Sequence, residues 1–174
     1  MAKPDAGPWY TVLRIAAVLL VVGAAGGVYV WYKAFRTVEQ EVCGDVEPAR
    51  RAGLCADPEE ERFKYGSLGA EADLGIPYPI FHVLPRVFGD LLPGPGGYRA
   101  FGIPWEEGRE LPVGFSKKTM GFPRVTQTCA ICHAASYRTA PDATPVIVPT
   151  GPSHTTNAMA FLDFLEAAAN DPRW

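Results

Sequence analysis

The chain has 174 residues, which is enough for one ordinary domain and a short additional element and leaves little room for a second large domain. Its formal net charge at pH 7 is −3, and acidic and basic residues are interspersed, so no basic face is available to neutralise phosphates. Nucleic acid is therefore a poor candidate partner.

An uncharged apolar run, IAAVLLVVGAAGGVYVWY, occupies residues 15–32. A helix rises about 1.5 Å per residue, so a helix of this length roughly matches the ~30 Å hydrocarbon core of a bilayer. Aromatic rings prefer the headgroup level, and they stand at both ends of the run, as Trp9, Tyr10, Trp31 and Tyr32. We therefore predict that residues 1–36 form an N-terminal tail and a single transmembrane helix.

A cleaved signal peptide is the alternative for this segment, because Lys3 and Arg14 form a basic region before it and AAG supplies small residues for cleavage. The second aromatic belt favours an uncleaved anchor. Gly23 and Gly27 form a G-x-x-x-G pattern that lets another helix approach closely, although glycine is frequent in such helices anyway. Cations flank both ends, so charge alone does not decide the orientation.

Two cysteines, Cys43 and Cys55, bracket the loop GDVEPARRAGL. A disulfide between them would stabilise the fold by roughly 2 to 3 kcal/mol, and it would persist only in an oxidising compartment. We predict that residues 37–60 form an extracytoplasmic linker containing this disulfide, and that the chain beyond it faces the periplasm from the inner (cytoplasmic) membrane. Two unrelated free thiols are the alternative.

The other two cysteines, Cys129 and Cys132, form a Cys-x-x-Cys-His motif with His133 in the stretch TQTCAICHAAS. A structural zinc site usually needs a second ligand pair at suitable spacing, and the sequence lacks one. A thioredoxin-type redox pair needs a βαβ context, and prolines and glycines break the segment before the motif. The remaining interpretation is the attachment signature of c-type haem.

In that interpretation the two cysteines lie on the first turn of a helix and form thioether bonds to one covalently attached haem c. His133 then points its imidazole at the iron as the proximal ligand. The sixth coordination position decides the function. We consider His154, in the loop TGPSHTTN, as the first candidate for the distal ligand and Met159 as the next, followed by Met120 and His82. An open or water-occupied position is the remaining alternative.

Several cations are candidates to pair with the haem propionates, because a guanidinium matches a carboxylate in two hydrogen bonds. Arg124 is the first of them because it is near the motif in sequence, and the others are Arg86, Arg99 and Lys117. Each could equally be an ordinary surface cation. Trp105, Tyr98 and Phe101 could pack on the porphyrin edge or form an aromatic core.

The rest of the sequence predicts short helices. Asp57 is a candidate N-cap, with Pro58 at the first helical position and Gly66 as the stop. Prolines and glycines recur from residue 75 to 123, so only IFHVLPRVFG looks helical there, with a kink or a new start at Pro85. Thr128 can cap the motif helix, and TNAMAFLDFLEAAAN predicts a final amphipathic helix.

No strand pattern of any length is apparent. We therefore predict a mainly α fold: residues 61–174 form a cytochrome-c-like haem domain with few helices and much irregular coil, preceded by one transmembrane helix. A haem would supply the apolar core that a small domain lacks.

Four stretches in order, ERFKYGSLGAE, GIPYPIFHVLPRVFGDLLPGPGGYRAFG, ELPVGFSKKTMGFPRV and CAICH, resemble the first haem domain of dihaem c-type cytochromes related to rubber oxygenases and, more distantly, to bacterial cytochrome c peroxidases. The resemblance covers roughly residues 61–174 and implies that Cys129, Cys132 and His133 bind haem. Those enzymes carry two Cys-x-x-Cys-His motifs, whereas this sequence contains a single one, at residues 129–133. The resemblance therefore supports the fold more than the enzymatic activity.

The first functional hypothesis is a membrane-anchored mono-haem cytochrome c that passes single electrons on the periplasmic side, as a subunit or redox partner of a membrane oxidoreductase. The second is an oxygen- or peroxide-activating haem enzyme domain that needs a second haem. The third is a structural subunit whose haem only stabilises the fold. No acid/base pair for peroxide cleavage is evident, so the sequence favours an electron-transfer protein over a stand-alone enzyme.

Overall fold

The computed structural model describes residues 8–38, 42–44, 46–48, 51, 53, 55–152 and 155–174. Within these ranges the α-helices are α1 (Pro8–Phe35), α2 (Pro58–Tyr65), α3 (Glu71–Leu74), α4 (Tyr78–Val87), α5 (Ala130–His133) and α6 (Ala158–Ala169), with 3₁₀ turns at Gly89–Leu91 and Gly97–Phe101. The strands are β1 (Thr37–Val38), β2 (Ile76–Pro77), β3 (Phe115–Met120), β4 (Phe122–Gln127), β5 (Ala135–Tyr137) and β6 (Val146–Val148). The fold is mixed α/β.

Helix α1 has 28 residues and a mean hydropathy of 2.1 over its most apolar window, and none of its residues is buried against the rest of the protein. By length and composition it is able to cross a membrane. An apolar helix close to an N-terminus is also what a signal sequence looks like. The predicted long apolar helix is therefore confirmed as a structural element.

Strands β1 to β4 form an antiparallel sheet in the order β1-β3-β4-β2, and β5 pairs with β6 in a second, two-stranded sheet. Strands β3 and β4 form a hairpin whose register runs from Phe115 opposite Gln127 to Met120 opposite Phe122. Gly121 makes the turn with a φ of +75°, a backbone conformation that favours glycine. The prediction of a mainly α fold without strands was wrong on this point, although the predicted helices are present.

Helix α2 begins where the capping pattern predicts it. The Asp57 carboxylate accepts hydrogen bonds from the backbone N–H groups of Glu59 at 2.9 Å and Glu60 at 3.2 Å. At the other end the Gly66 N–H donates to the Arg62 carbonyl at 2.7 Å. Both predicted boundaries of this helix are confirmed.

Helix α4 continues through Pro85 instead of ending there. A proline has no N–H, so the carbonyl four residues earlier, on Phe81, loses its usual helical donor. The Tyr98 hydroxyl replaces it, donating to the Phe81 oxygen at 2.6 Å. Burial raises the pKa of the Tyr98 phenol, which therefore stays protonated and able to donate.

The main core lies between one face of the β3–β4 hairpin, helix α4, the second 3₁₀ turn and helix α6. Its aromatic rings are packed against one another, and the Phe81 and Tyr98 ring centroids, for example, are 4.4 Å apart. The buried aromatic residues of this cluster are Phe81, Phe88, Tyr98, Phe101, Phe115, Phe161 and Phe164. Tyr98 and Phe101, two candidates for packing on a porphyrin, thus belong to the protein's own core.

Cys43 and Cys55 form the predicted disulfide, with a Cα–Cα distance of 6.5 Å. The bond packs against the guanidinium of Arg109, whose Nη2 lies 3.6 Å from the Cys55 sulfur and 3.9 Å from the Cys43 sulfur. The segment predicted as a linker is therefore tied to the loop that precedes β3.

We expect the Cys43→Ser/Cys55→Ser double variant to have a free energy of unfolding about 2–3 kcal/mol below that of the wild type, because the crosslink restricts the unfolded chain. Urea denaturation of the purified variant, followed by circular dichroism, measures this difference. Wild-type protein treated with a dithiol reductant should fall to the same stability. Equal stability of the oxidised wild type and the double variant would contradict the prediction.

Candidate cofactor-attachment site

The Cys-x-x-Cys-His motif begins two residues after β4 ends at Gln127, so the hairpin determines its position. Residues Cys129 to His133 form one helical turn, in which the His133 N–H donates to the Cys129 carbonyl at 3.1 Å. The Thr128 hydroxyl accepts a hydrogen bond from the Ala130 N–H at 3.3 Å. The N-cap position itself is occupied by Cys129, so Thr128 satisfies a free N–H group from one residue earlier than predicted.

The turn separates its polar and apolar residues onto opposite sides. The reactive side chains are exposed, and those between and after them are buried: the exposed set is Cys129, Cys132 and His133, and the buried set is Ala130, Ile131 and Ala134. Both motif cysteines are free thiols. The two sulfurs and the imidazole therefore share the outer side of a turn whose inner side is anchored, an arrangement suited to covalent attachment of a haem.

The inner side of the turn rests on a second, smaller core. Ala130 and Ala134 pack with Tyr65 of α2 and Val113 of the preceding loop, and all four are buried. Small residues on this side let the turn approach α2 closely. The packing fixes the direction in which the exposed side chains point.

Gly114 holds the turn from below. Its N–H donates to the Lys64 carbonyl at 3.0 Å, and its own carbonyl accepts from the Thr128 N–H at 2.8 Å. Its φ is +89°, and a Cβ added there would lie 2.5 Å from the Ile131 Cα. No side chain fits this position, so the close contact between the residue before β3 and the motif turn depends on glycine.

Beneath this second core lies a network of buried charges. Lys64 Nζ lies 2.6 Å from the Glu61 carboxylate and 2.8 Å from the Glu106 carboxylate. The Tyr65 hydroxyl donates to Glu106 at 2.7 Å. Arg109, whose side chain has 0% exposure, pairs with Glu61 and stacks 4.4 Å from the Tyr65 ring. The network joins α2 to the loop before β3 and to the disulfide.

The candidates for a distal ligand are dispersed. Met120 is at the far end of the hairpin, and a strand rises about 3.4 Å per residue, so it is on the order of 20 Å from the motif. Met159 is 67% exposed at the start of α6. His154 lies outside the described residues, and the chain resumes at Thr155.

His82 belongs to a separate surface cluster on α4 and β3. Its ring lies 5.9 Å from that of Tyr78. Burial, together with a hydrogen bond to Glu110, raises the pKa of Tyr78 to about 12. Burial alone would raise the pKa of Glu110, but hydrogen bonds from Lys117 and Tyr78 and the charge of Lys117 hold it below its ordinary value. Lys117 is therefore engaged by Glu110, and His82 lies in this cluster.

The predicted propionate partners also have defined surroundings. The Arg124 guanidinium donates to the Ala72 carbonyl at 3.0 Å and lies 4.4 Å from the Phe122 ring centroid. Arg86 is exposed on α4. Arg99 lies 5.2 Å from the Trp105 ring, so these two predicted site residues are together.

Two surface depressions are lined in part by residues that flank the motif in the sequence. A groove of about 380 Å³ is lined by apolar side chains of α6 and by Val125, Thr126 and Gln127, which directly precede the motif. A cleft of about 1120 Å³ is lined by Ser136 and Arg138, which follow it, together with the pair Arg99 and Trp105 and also Thr155. Both volumes are close to the usual range for cofactor and ligand sites, about 300–1,000 Å³.

Sequence reasoning missed Gly114. Nothing local distinguishes it from the other glycines of its segment, because its role comes from a contact with residue 131. Arg138, five residues after His133, was also not singled out; it lines the larger cleft, and its guanidinium donates to the Ala143 carbonyl.

No protein-family model, curated protein or solved structure matches the chain. The functional argument therefore depends on the residues of the motif and their surroundings.

Proposed function

We propose that this protein is a membrane-anchored mono-haem c-type cytochrome that transfers single electrons on the periplasmic side of the inner membrane. The observation that carries the proposal is the motif turn, with Cys129, Cys132 and His133 exposed on one side and the other side anchored.

Each residue of the turn has a distinct task in this proposal. Cys129 and Cys132 hold the porphyrin through thioether bonds, and His133 binds the iron. The haem, when bound, supplies a reversible one-electron couple. Gly114 and the buried alanines keep the turn rigid, so the imidazole is oriented before the cofactor arrives.

Two further features support the proposed location. The Cys43–Cys55 disulfide persists in an oxidising compartment, which supports a periplasmic domain. Helix α1, with aromatic rings near both ends, supports retention in the bilayer. Together they confine the haem domain to the membrane surface, where a membrane oxidoreductase is a suitable partner.

An oxygen- or peroxide-activating haem is the second candidate function. It is favoured by the positions of Met120, at the far end of the hairpin, and of His82, in the cluster with Tyr78 on α4. A low-spin ferric haem that does not bind carbon monoxide when reduced would indicate electron transfer, and a high-spin haem that binds it readily would indicate the enzyme. A haem that no membrane partner reduces would indicate the purely structural subunit.

The proposal is tested by expressing the full chain together with a c-type haem maturation system. We expect a Soret band and a mass increase of one haem that survives denaturation. The Cys129→Ser/Cys132→Ser variant should lose the covalent haem completely, because no sulfur remains to form a thioether. His82→Ala replaces an exposed histidine away from the motif and serves as the control, with unchanged haem content. Wild-type protein without covalent haem would refute the proposal.

A further inference from the structure

The tip of the β3–β4 hairpin, defined here as Met120, Gly121 and Phe122, is in contact with the end of helix α1. The Gly121 N–H donates to the Arg36 carbonyl at 2.8 Å. A Cβ added to Gly121 would lie 2.7 Å from the carbonyl carbon of Ala34. The hairpin tip thus rests directly against the backbone of the last helical turn.

The same connection is reinforced by strand pairing. Helix α1 ends at Phe35 and β1 begins at Thr37, so one residue separates them. Thr37 pairs with Met120 and Val38 with Thr119. The chain that leaves the apolar helix is therefore at once part of the sheet, which keeps the hairpin tip at the level of the helix end.

The exposed side chains at this level have the composition of a membrane–water interface. Phe122 is 45% exposed, although it follows a tight turn in an otherwise well-packed hairpin. Lys33 and Arg36 are exposed on the adjoining chain, and the half-buried Arg124, which also donates to the Ala72 carbonyl, has its guanidinium over the Phe122 ring at 4.4 Å. Phenylalanine rings of interfacial segments insert at the boundary between headgroups and acyl chains, and cations beside them pair with lipid phosphates.

The helix geometry gives the depth. Arg36 follows Tyr32 by four residues, which is about 6 Å of helix rise. The headgroup layer on each side of a bilayer is about 5–7 Å thick. With Tyr32 at the inner boundary of that layer, Arg36 and the hairpin tip lie within it.

We propose that the hairpin tip is a second contact with the bilayer, in which the Phe122 ring inserts among the phospholipid headgroups while Arg124 and Arg36 bind lipid phosphates. This inference rests on the proposed function only for the claim that α1 stays in the membrane. It adds that the haem domain is held against the membrane by its sheet and not by α1 alone.

The test is photo-crosslinking of the full chain in nanodiscs of phosphatidylethanolamine and phosphatidylglycerol. Phe122→p-benzoylphenylalanine should crosslink to phospholipid several-fold more than Tyr137→p-benzoylphenylalanine. Tyr137 is a matched control because it is an aromatic residue, 51% exposed, on β5 beyond the other end of the hairpin. Tyr32→p-benzoylphenylalanine reports separately whether α1 is in the bilayer.

Crosslinking at Tyr32 and background yield at Phe122 would overturn the second contact while leaving the anchored cytochrome intact. Background yield at both positions would overturn the membrane anchor and the contact together. If the benzophenone at position 122 prevents folding, Phe122→Trp replaces it. Its added fluorescence should then be quenched by brominated phospholipids, and an unquenched signal would overturn the proposal.

Discussion

Gly114→Ala is expected to lower the free energy of unfolding by about 2–6 kcal/mol and to reduce covalent haem attachment severely. A left-handed backbone conformation costs a non-glycine residue about 1–3 kcal/mol, and overpacking of a tight contact adds about 1–3 kcal/mol. The added methyl group would meet the Ile131 backbone in the middle of the motif turn. The turn must move, and the two sulfurs and the imidazole move with it.

Guanidinium denaturation measures the stability of this variant, and the absorbance of the pyridine haemochrome measures its haem content. Gly89→Ala is the matched control, because an added Cβ there meets nothing within 4 Å. We expect its stability to change by less than about 1 kcal/mol. A Gly114→Ala protein with normal stability and full haem content would show that the motif turn does not depend on this contact.

Arg109→Leu is expected to destabilise the protein by about 3–5 kcal/mol, because it removes one partner of a buried ion pair and leaves the other without compensation. The variant also removes the guanidinium that packs against the disulfide sulfurs and the Tyr65 ring. Since Tyr65 supports the inner side of the motif turn, haem attachment should decrease as well.

Thermal and guanidinium denaturation of Arg109→Leu, compared with Arg86→Leu, checks this expectation. Arg86 is exposed on α4, so its replacement should change the free energy of unfolding by no more than about 0.5 kcal/mol. Similar losses in the two variants would mean that the buried network contributes nothing specific to stability.

The elements that could be predicted are those whose signals are local. Asp57 and Pro58 predict a helix start, because an aspartate accepts hydrogen bonds from the first free N–H groups and a proline fits the first helical position. The apolar run of α1 is recognisable without any tertiary contact. The Cys43–Cys55 pair could be predicted because the other two cysteines were already assigned to the motif. For the site, the sequence singled out Cys129, Cys132 and His133 and a hydroxyl beside the start of their turn, at Thr128.

The sheet could not be predicted because its residues conceal the strand pattern. Lys117 and Lys118 are adjacent in β3 and interrupt the alternation of apolar and polar residues. Pro123 argues against a central strand, but β2 ends opposite Arg124, so Pro123 has a neighbouring strand on one side only. Its missing N–H is tolerated there.

The sequence predicted a helix over IFHVLPRVFG with a kink or a new start at Pro85, but it did not show what compensates for the proline. Its compensation is a hydroxyl thirteen residues later, on Tyr98, and no local rule links the two positions. The same holds for the surroundings of the motif turn, where Gly114, Tyr65 and Arg109 act through contacts between distant segments. Local sequence patterns predict which residues are reactive, whereas the residues that position them are found only through contacts between distant segments.

The length of β4 has a consequence for any redox partner. Its six residues rise about 17 Å from Phe122, beside the end of α1, to Gln127, just before the motif. A haem attached beyond the end of this strand would therefore stay at a nearly constant distance from the membrane surface while the protein diffuses in the membrane. Electrons would then pass only to complexes whose own centre comes to the surface at a similar height, so the hairpin would act as a selector of partners before any docking surface makes contact.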